Sequence, residues 1–366
     1  MTKGETTLTL DLSALEHNFR FLKARLLPNT LFMGVVKAFA YGSDQVAIAK
    51  HLEKLGADYL AVAYAKEGIA LREAGIHLPI LVLHPQPRNF KKIIDFRLEP
   101  SLYSIRVLQE FLEMAKANKQ QAYPVHLNFN TGLNRLGLSK ATLQEAMAIF
   151  KSSNTIFLKG VQSHLAASED GQERDFSLGQ IADFKAICER LAAALGQIPI
   201  RHMLNTSGIL NYPEAQFEMV RSGIGLYGYG NAPEYDHQLK PVATLKTVIS
   251  QLHPIAPGDS VGYNRAYQAT KPEIIATLPI GHADGLGRQY GEGKGVVVIN
   301  GQPAPIVGNV CMDMVMVNVT HIRCQEGEEV LVFGADRSAA LFAEGATTIS
   351  YELLTAISPR VARIVV

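Results

Sequence analysis

Cysteine is scarce, and neither basic nor acidic residues gather into a run. The three cysteines, Cys188, Cys311 and Cys324, are odd in number and lack CxxC spacing. That excludes a disulfide framework or a zinc knuckle and fits a reducing, cytoplasmic setting. With 35 Lys and Arg against 34 Asp and Glu, the formal net charge is +1, so no electrostatic footprint for nucleic acid or an anionic membrane exists. A small-molecule partner is expected instead. No apolar run approaches the ~18 residues of a membrane span, and Met1–Leu10 is short and polar, which reads as a soluble, unexported chain. No HExxH motif or spaced Cys/His cluster points to a metal, and His51 and His77 read as surface residues.

What is present is a large apolar complement. At 366 residues and 47% hydrophobic, the chain is long enough for two domains with a sizeable core. From Leu31 to about Arg221, short apolar runs alternate with amphipathic helical stretches, the pattern of βα units around a parallel sheet. Eight strands are expected: Leu31–Val36, Tyr59–Ala63, Ile80–Leu83, a weak one near Pro100–Tyr103, Val125–Phe129, Leu158–Ser163, Ile200–Leu204 and Phe217–Val220. Gly56 and Gly75 read as C-terminal helix caps and Ser139 as a helix start. Eight units predict a closed TIM-like α/β barrel over residues 11–238.

The remainder, residues 1–10 and 239–366, reads as a mainly-β domain. Thr7–Leu10 is a strand left over from the barrel count, and Ser13-Ala14-Leu15-Glu16 reads as a capping box opening a helix. Strands are expected at Val242–Leu252, Ile275–Ile280, Val296–Ile299, Pro305–Val310, Val315–Val319 and Glu329–Phe333, with a helix at Tyr351–Ile357. Asn300-Gly301 is a hairpin turn, because both residues tolerate positive φ.

In such a barrel, chemistry sits where strands end at their C-termini. Strand one ends in Lys37, strand five leads to Arg135, strand six to His164, strand seven to Asn205-Thr206-Ser207 and strand eight to Arg221. Burial at a strand end disfavours an ammonium ion, which suits Lys37 to attack an aldehyde and form a Schiff base. The loops after strands seven and eight supply Asn205–Gly208 and Gly223-Ile224-Gly225, whose hydroxyls and N–H groups suit a phosphate. Gly223–Gly228 also matches GxGxxG, but it closes the barrel pattern instead of opening a βαβ unit, so it is no dinucleotide site. Gly291–Gly295 fails the phosphate-loop pattern in both spacing and the residue after Lys294.

The ordered motifs resemble bacterial alanine racemases over nearly the whole chain. They are Leu8–Leu22, Val36–Gly42 (VKAFAYG), Thr131–Gly137 (TGLNRLG), Ser163–Ala166 (SHLA), Arg221–Gly228 (RSGIGLYG), His282–Gly285 (HADG), Cys311–Asp313 (CMD) and Tyr351–Glu352. The resemblance implies pyridoxal 5'-phosphate, carried by Lys37 as a Schiff base. Tyr41, Thr206, Gly223, Ile224 and Tyr351 would surround its phosphate, and His164 and Asn205 would belong to the surrounding cofactor shell, with His202 in the same segment. Arg221 would face the ring nitrogen. As a donor that never accepts, it would leave that nitrogen unprotonated and favour proton return to the α-carbon over transamination. The resemblance further implies two acid/base groups, Lys37 on the D-alanine face and Tyr263 on the L-alanine face. Tyr263 and the backbone N–H of Met312 would come from the partner subunit of a homodimer, Arg135 would meet the substrate carboxylate, and the product would feed peptidoglycan.

Several positions depart from the pattern. Asn128 stands where a carbamylated lysine is usual, and Asn130 where an aspartate is usual. Either an anion such as chloride sits beside Asn128 and Arg135, or Asn128 alone orients the guanidinium. Phe39 replaces a usual asparagine, His282 a usual tyrosine and Asn309 a usual arginine of the substrate entrance. A small pocket discriminates an extra methylene or hydroxyl only modestly, so a broad-specificity or serine racemase is the alternative. A barrel-type amino-acid decarboxylase is opposed by Arg221 and Tyr263. A non-catalytic pyridoxal-phosphate-binding protein is opposed by the β domain.

Overall fold

The computed structural model describes residues 5–366, and within them eight parallel strands close into a barrel. Their ranges are Leu31–Val35, Tyr59–Val62, Ile80–Val82, Glu99–Leu102, Tyr123–Asn128, Ile156–Gln162, Ile200–His202 and Met219–Ser222. The first pairs with the last, Leu31 opposite Met219 and Gly34 opposite Ser222, which closes the ring. Helices cover the outside because each presents one apolar stripe. The helix Ile105–Ala117, for instance, buries Val107, Leu108, Phe111, Leu112 and Ala115, and Ser104 caps its start by accepting from the N–H of Val107.

The last barrel strand lies two residues later than its apolar run predicts. Phe217 instead turns at φ 51°, and Arg221 and Ser222 are polar but fully enclosed. The fourth strand looks weak in sequence because it begins Glu99-Pro100, yet all four of its residues are buried.

The second unit is a nine-stranded sheet. In spatial order its strands are Gln251–Ile255, Glu273–Leu278, Val315–Asn318, Gln302–Val307, Val296–Ile299, Glu329–Phe333, Ala243–Val248, Thr7–Leu10 and Ala362–Val365. Thr7–Leu10 therefore joins this sheet, antiparallel to Ala243–Val248 and parallel to Ala362–Val365. The single expected strand Val242–Leu252 is two strands interrupted at Ile249-Ser250. Asn300 (φ 49°) and Gly301 (φ 76°) form the expected hairpin turn, with Ile299 opposite Gln302. The expected strand Pro305–Val310 starts three residues earlier, at Gln302, and stops at Val307. The capping box at Ser13 is not formed. Asp11 caps the helix Leu12–Lys23 instead, accepting from the N–H groups of Ser13 and Ala14. The helices Ala339–Glu344 and Ser350–Ala356 pack beside the sheet, the latter against residues 37–42. Among the described residues no helix is long and apolar enough to cross a membrane, and the three cysteines are free.

Candidate active site

A cavity of about 680 Å³ opens at the C-terminal ends of the barrel strands. Lys37, Tyr41, Arg135, His164, Asn205, Thr206, Arg221, Gly223, Ile224 and Tyr351 all line it. These residues come from five barrel-strand ends and one helix of the second unit, brought together by closure of the barrel.

Lys37 begins an unusual turn. Ala38, Phe39, Ala40 and Tyr41 all have φ between 52° and 55°, a left-handed helical turn made of residues with side chains. Left-handed helix costs L-residues about 1–2 kcal/mol each, so the surroundings must enforce it. Glu67 does so from one side, its carboxylate accepting from the N–H of Ala38 at 2.6 Å and of Ala63 at 2.7 Å. Gly42 closes the turn at φ 78°, where a Cβ would lie 1.9 Å from the carbonyl oxygen of Leu354. Arg363 donates to the carbonyl of Gly42 at 3.0 Å. The turn aims Lys37 and Tyr41 into one cavity. Burial, then the neighbouring Arg135 charge, holds the Lys37 ammonium below its ordinary range, partly opposed by Glu67.

Tyr41 is buried against Tyr227, with ring centroids 4.6 Å apart, and burial raises its hydroxyl pKa. Tyr351 receives a hydrogen bond from the side-chain amide of Asn231 at 3.0 Å, and burial pushes its pKa up to about 12. Both phenols therefore stay protonated as donors. Thr206 starts the short helix Thr206–Asn211, which Asn205 caps through the N–H of Gly208. The hydroxyl of Thr206 accepts from the N–H of Gly225 at 3.1 Å, tying the two loops together. Among the described residues, the N–H groups of Gly223 and Ile224 have no protein acceptor. These donors could hold a phosphate dianion.

Arg221 is the most constrained cation in the site. Its Nη1 donates to Nδ1 and the carbonyl of His202, at 2.9 and 2.7 Å. Its Nη2 donates to the carbonyls of Ser163 at 2.7 Å and Met203 at 3.2 Å, and faces Nδ1 of His164 at 3.2 Å. Among the described residues its Nε–H has no protein partner, although the side chain is buried and lines the cavity. That donor fits an aromatic nitrogen with a free lone pair. Burial, then Arg221, pushes His164 down to about 3 and His202 well below its ordinary value, so both imidazoles are neutral. The donor set thus suits the pyridoxal phosphate that the sequence resemblance implies.

Arg135 lines the cavity, and its side chain makes no hydrogen bond or ion pair among the described residues. Asn128 also lines the cavity, and among the described residues it makes no hydrogen bond to Arg135. Asn130 is occupied locally, accepting from the N–H groups of Gly132 and Asn134. Tyr263 and Met312 are not among the lining residues, and lie 72% and 59% exposed on the second unit. Met312 is held by the N–H of Ala283 donating to its carbonyl at 2.9 Å. Arg360 clamps the two adjoining loops through Asp284 at 2.6 Å and Asp313 at 2.7 Å. His282, Asn309 and Phe39 also lie outside the cavity lining.

Sequence reasoning missed Glu67, Asn231 and Arg360. Each acts by holding backbone or another side chain, and such roles leave no motif. It also missed a polar spine inside the barrel made of Glu99, Ser101, His126 and Gln162. Its signal was available as polar residues at alternate positions of otherwise apolar strands.

Comparison with known proteins gives one answer along the whole chain. The model for the alanine racemase N-terminal domain matches residues 10–231, and that for the alanine racemase C-terminal domain matches residues 242–365. The alanine racemase of Carboxydothermus hydrogenoformans is 36% identical over 366 residues, covering 98% of both chains. The solved alanine racemase of Clostridium difficile superimposes with TM-score 0.93 at 33% identity, covering 100% of this chain and 97% of its own. An alanine racemase structure from Bartonella henselae, solved with covalently bound pyridoxal phosphate, gives 0.90 at 29% identity over 99% and 100% of the two chains. The barrel, the strand-end lysine and matches in both halves lead to one conclusion: this chain belongs to the alanine racemase family.

Proposed function

We propose that the chain interconverts L- and D-alanine with pyridoxal phosphate bound through Lys37, as a homodimer whose sites are shared between subunits. The observation that carries this reading is Lys37, held on a strained turn and lining one cavity with Arg221, whose Nε–H has no protein partner among the described residues. Bound there, the coenzyme would supply an aldehyde for amine capture and a conjugated ring to accept the electron pair of a broken Cα–H bond.

The residues divide the remaining work. Tyr41, Tyr351, Thr206 and the N–H groups of Gly223 and Ile224 bind the phosphate. Arg221 directs a donor at the ring nitrogen, and as a group that stays cationic it gives that nitrogen no proton. His164 and Asn205 line the cofactor pocket. Arg135, whose guanidinium has no protein partner among the described residues, holds the substrate carboxylate by charge-assisted bonds. In the D-to-L direction the neutral amine Nζ of Lys37 takes the α-proton from one face and the hydroxyl of the partner's Tyr263 gives its proton to the other, leaving an ammonium and a phenolate. In the L-to-D direction that phenolate takes the α-proton and the Lys37 ammonium gives one back to the opposite face, so either direction inverts the carbon. The partner's Met312 offers its backbone N–H to the carboxylate. Exposure of Tyr263 and Met312 on one chain supports this sharing. An anion such as chloride beside Asn128 would orient Arg135. In a cytoplasmic setting the product would supply peptidoglycan synthesis.

Incubation of the holoenzyme with L-alanine in heavy water tests the reading. Chiral analysis should find D-alanine carrying deuterium at the α-carbon. Pyruvate, carbon dioxide or unlabelled product would contradict it. A broader substrate range is the second reading. It is favoured by Asn309, whose amide donates to the carbonyl of Tyr263 at 3.1 Å where the resemblance expects an arginine. Comparable turnover of serine and alanine would select it.

A further inference from the structure

TIM-type barrels fill their interior with branched apolar side chains, yet here a line of polar groups crosses it. It starts at Arg221 in the cavity, whose Nη1 donates to Nδ1 of His202 at 2.9 Å. Nε2 of His202 lies 2.9 Å from Nδ1 of His126. Nε2 of His126 lies 2.9 Å from one carboxylate oxygen of Glu99. The other oxygen accepts from Lys159 at 2.9 Å. His126 and His202 are completely buried and Glu99 nearly so. Glu99 opens its strand, so the line runs from the N-terminal end of the barrel to the pocket.

The fold makes specific room for it. The strands bearing His126 and Lys159 slip in register, so that Val125 faces Leu158 and His126 faces Gly160. Lys159 is the extra residue of this bulge, and its amine reaches Glu99. Gly160 leaves space for the imidazole, since a Cβ there would sit 2.1 Å from Nδ1 of His126.

The direction of donation along the line is fixed at its ends. A guanidinium only donates, so Nδ1 of His202 must accept, and the proton of a neutral ring sits on Nε2. That N–H meets Nδ1 of His126, which must accept in turn. His126 then carries its own proton on Nε2 and needs an acceptor beyond, which the Glu99 carboxylate provides. We propose that Glu99 is a positioning residue: by accepting from His126 it locks both buried imidazoles as Nε2–H tautomers and so keeps an acceptor facing Arg221. The inference rests on the racemase reading for its purpose, since the guanidinium so held is the one directed at the coenzyme's ring nitrogen. An ion pair serving stability alone would need only opposite charges at positions 99 and 159.

Exchanging the pair separates the two roles. The E99K/K159E variant keeps the charges but places a donor against Nε2 of His126, which drives its proton to Nδ1 and sets an N–H of His202 against Arg221. E99Q keeps an acceptor there. The readouts are the tautomers of 15N-labelled histidines in the coenzyme-free protein and the dissociation constant for pyridoxal phosphate. Wild type should show His126 and His202 as Nε2–H tautomers. E99K/K159E should show His126 as Nδ1–H, with coenzyme binding weakened roughly tenfold, the scale of one charge-assisted hydrogen bond. E99Q should keep the wild-type tautomers and bind to within about threefold of wild type, a difference below that scale. Either imidazole found as Nδ1–H or doubly protonated in wild type overturns the proposal, as does a folded exchanged variant that binds like wild type. If the exchanged variant fails to fold, the wild-type spectrum still decides. Those spectra need no turnover, so a wild type that fails to racemise alanine would strike the functional reading and not the tautomers.

Discussion

The carboxylate of Glu67 accepts the backbone N–H of Ala38, 2.6 Å away, and so anchors the left-handed turn that begins at Lys37. It also accepts from Ala63 and Tyr64. Glu67→Ala removes three acceptor bonds from a strained segment, and about 2–4 kcal/mol of stability should go with them. Thermal unfolding measures the loss, and pyridoxal phosphate binding should weaken in parallel. A variant with unchanged stability and binding would show that the turn is held by other contacts.

Arg221→Lys should lose more than its charge conservation suggests. The ammonium cannot serve the carbonyls of Ser163, His202 and Met203 together with Nδ1 of His202. Turnover should fall on the order of a hundredfold with destabilisation of about 2–4 kcal/mol, as buried acceptors are left unpaired. Steady-state kinetics beside a melting curve would check both effects.

Lys37 should make the coenzyme-free protein less stable at neutral pH. Its folded pKa lies below the unfolded value because of burial, then Arg135. Between those two values the unfolded chain binds more protons, so stability rises with pH. Below the folded value the cost is constant, and above the unfolded value it is gone. Lys37→Met should therefore be more stable than wild type near pH 7, and the advantage should vanish above about pH 10.5, the free lysine range. An advantage independent of pH would assign it to packing.

Much of this site was legible because barrel strands are short apolar runs and chemistry collects where they end. Lys37, Arg135, His164, Thr206 and Arg221 all follow such runs. The turn at Ala38–Tyr41 was not legible, since nothing in Ala-Phe-Ala-Tyr favours positive φ and the conformation is imposed by Glu67 and Gly42. The strand at Glu99 looked weak because the polar residue that weakens the pattern is one the barrel interior uses. In the second unit, strand positions followed the apolar runs while strand order did not. The final strand Ala362–Val365 pairs with Thr7–Leu10 across almost the whole sequence.

Arg360 should act on substrate binding at a distance from the barrel. It joins Asp284 to Asp313, the residue after Met312. Arg360→Met should leave coenzyme binding intact and raise KM for alanine roughly tenfold, because the Met312 N–H loses its fixed position. An unchanged KM would separate that clamp from the carboxylate site.

The shared site can be tested by mixing two inactive variants. On the proposed roles Lys37→Met lacks one acid/base group and Tyr263→Phe the other, and each alone should be inactive. After unfolding and refolding together, half the dimers are mixed, and each mixed dimer holds one site with both Lys37 and Tyr263. Racemase activity should return to about a quarter of wild type, the proportion set by two-fold symmetry. If the mixture stays inactive while mixed dimers are present, Lys37 and Tyr263 do not meet across the subunits, and the account is contradicted.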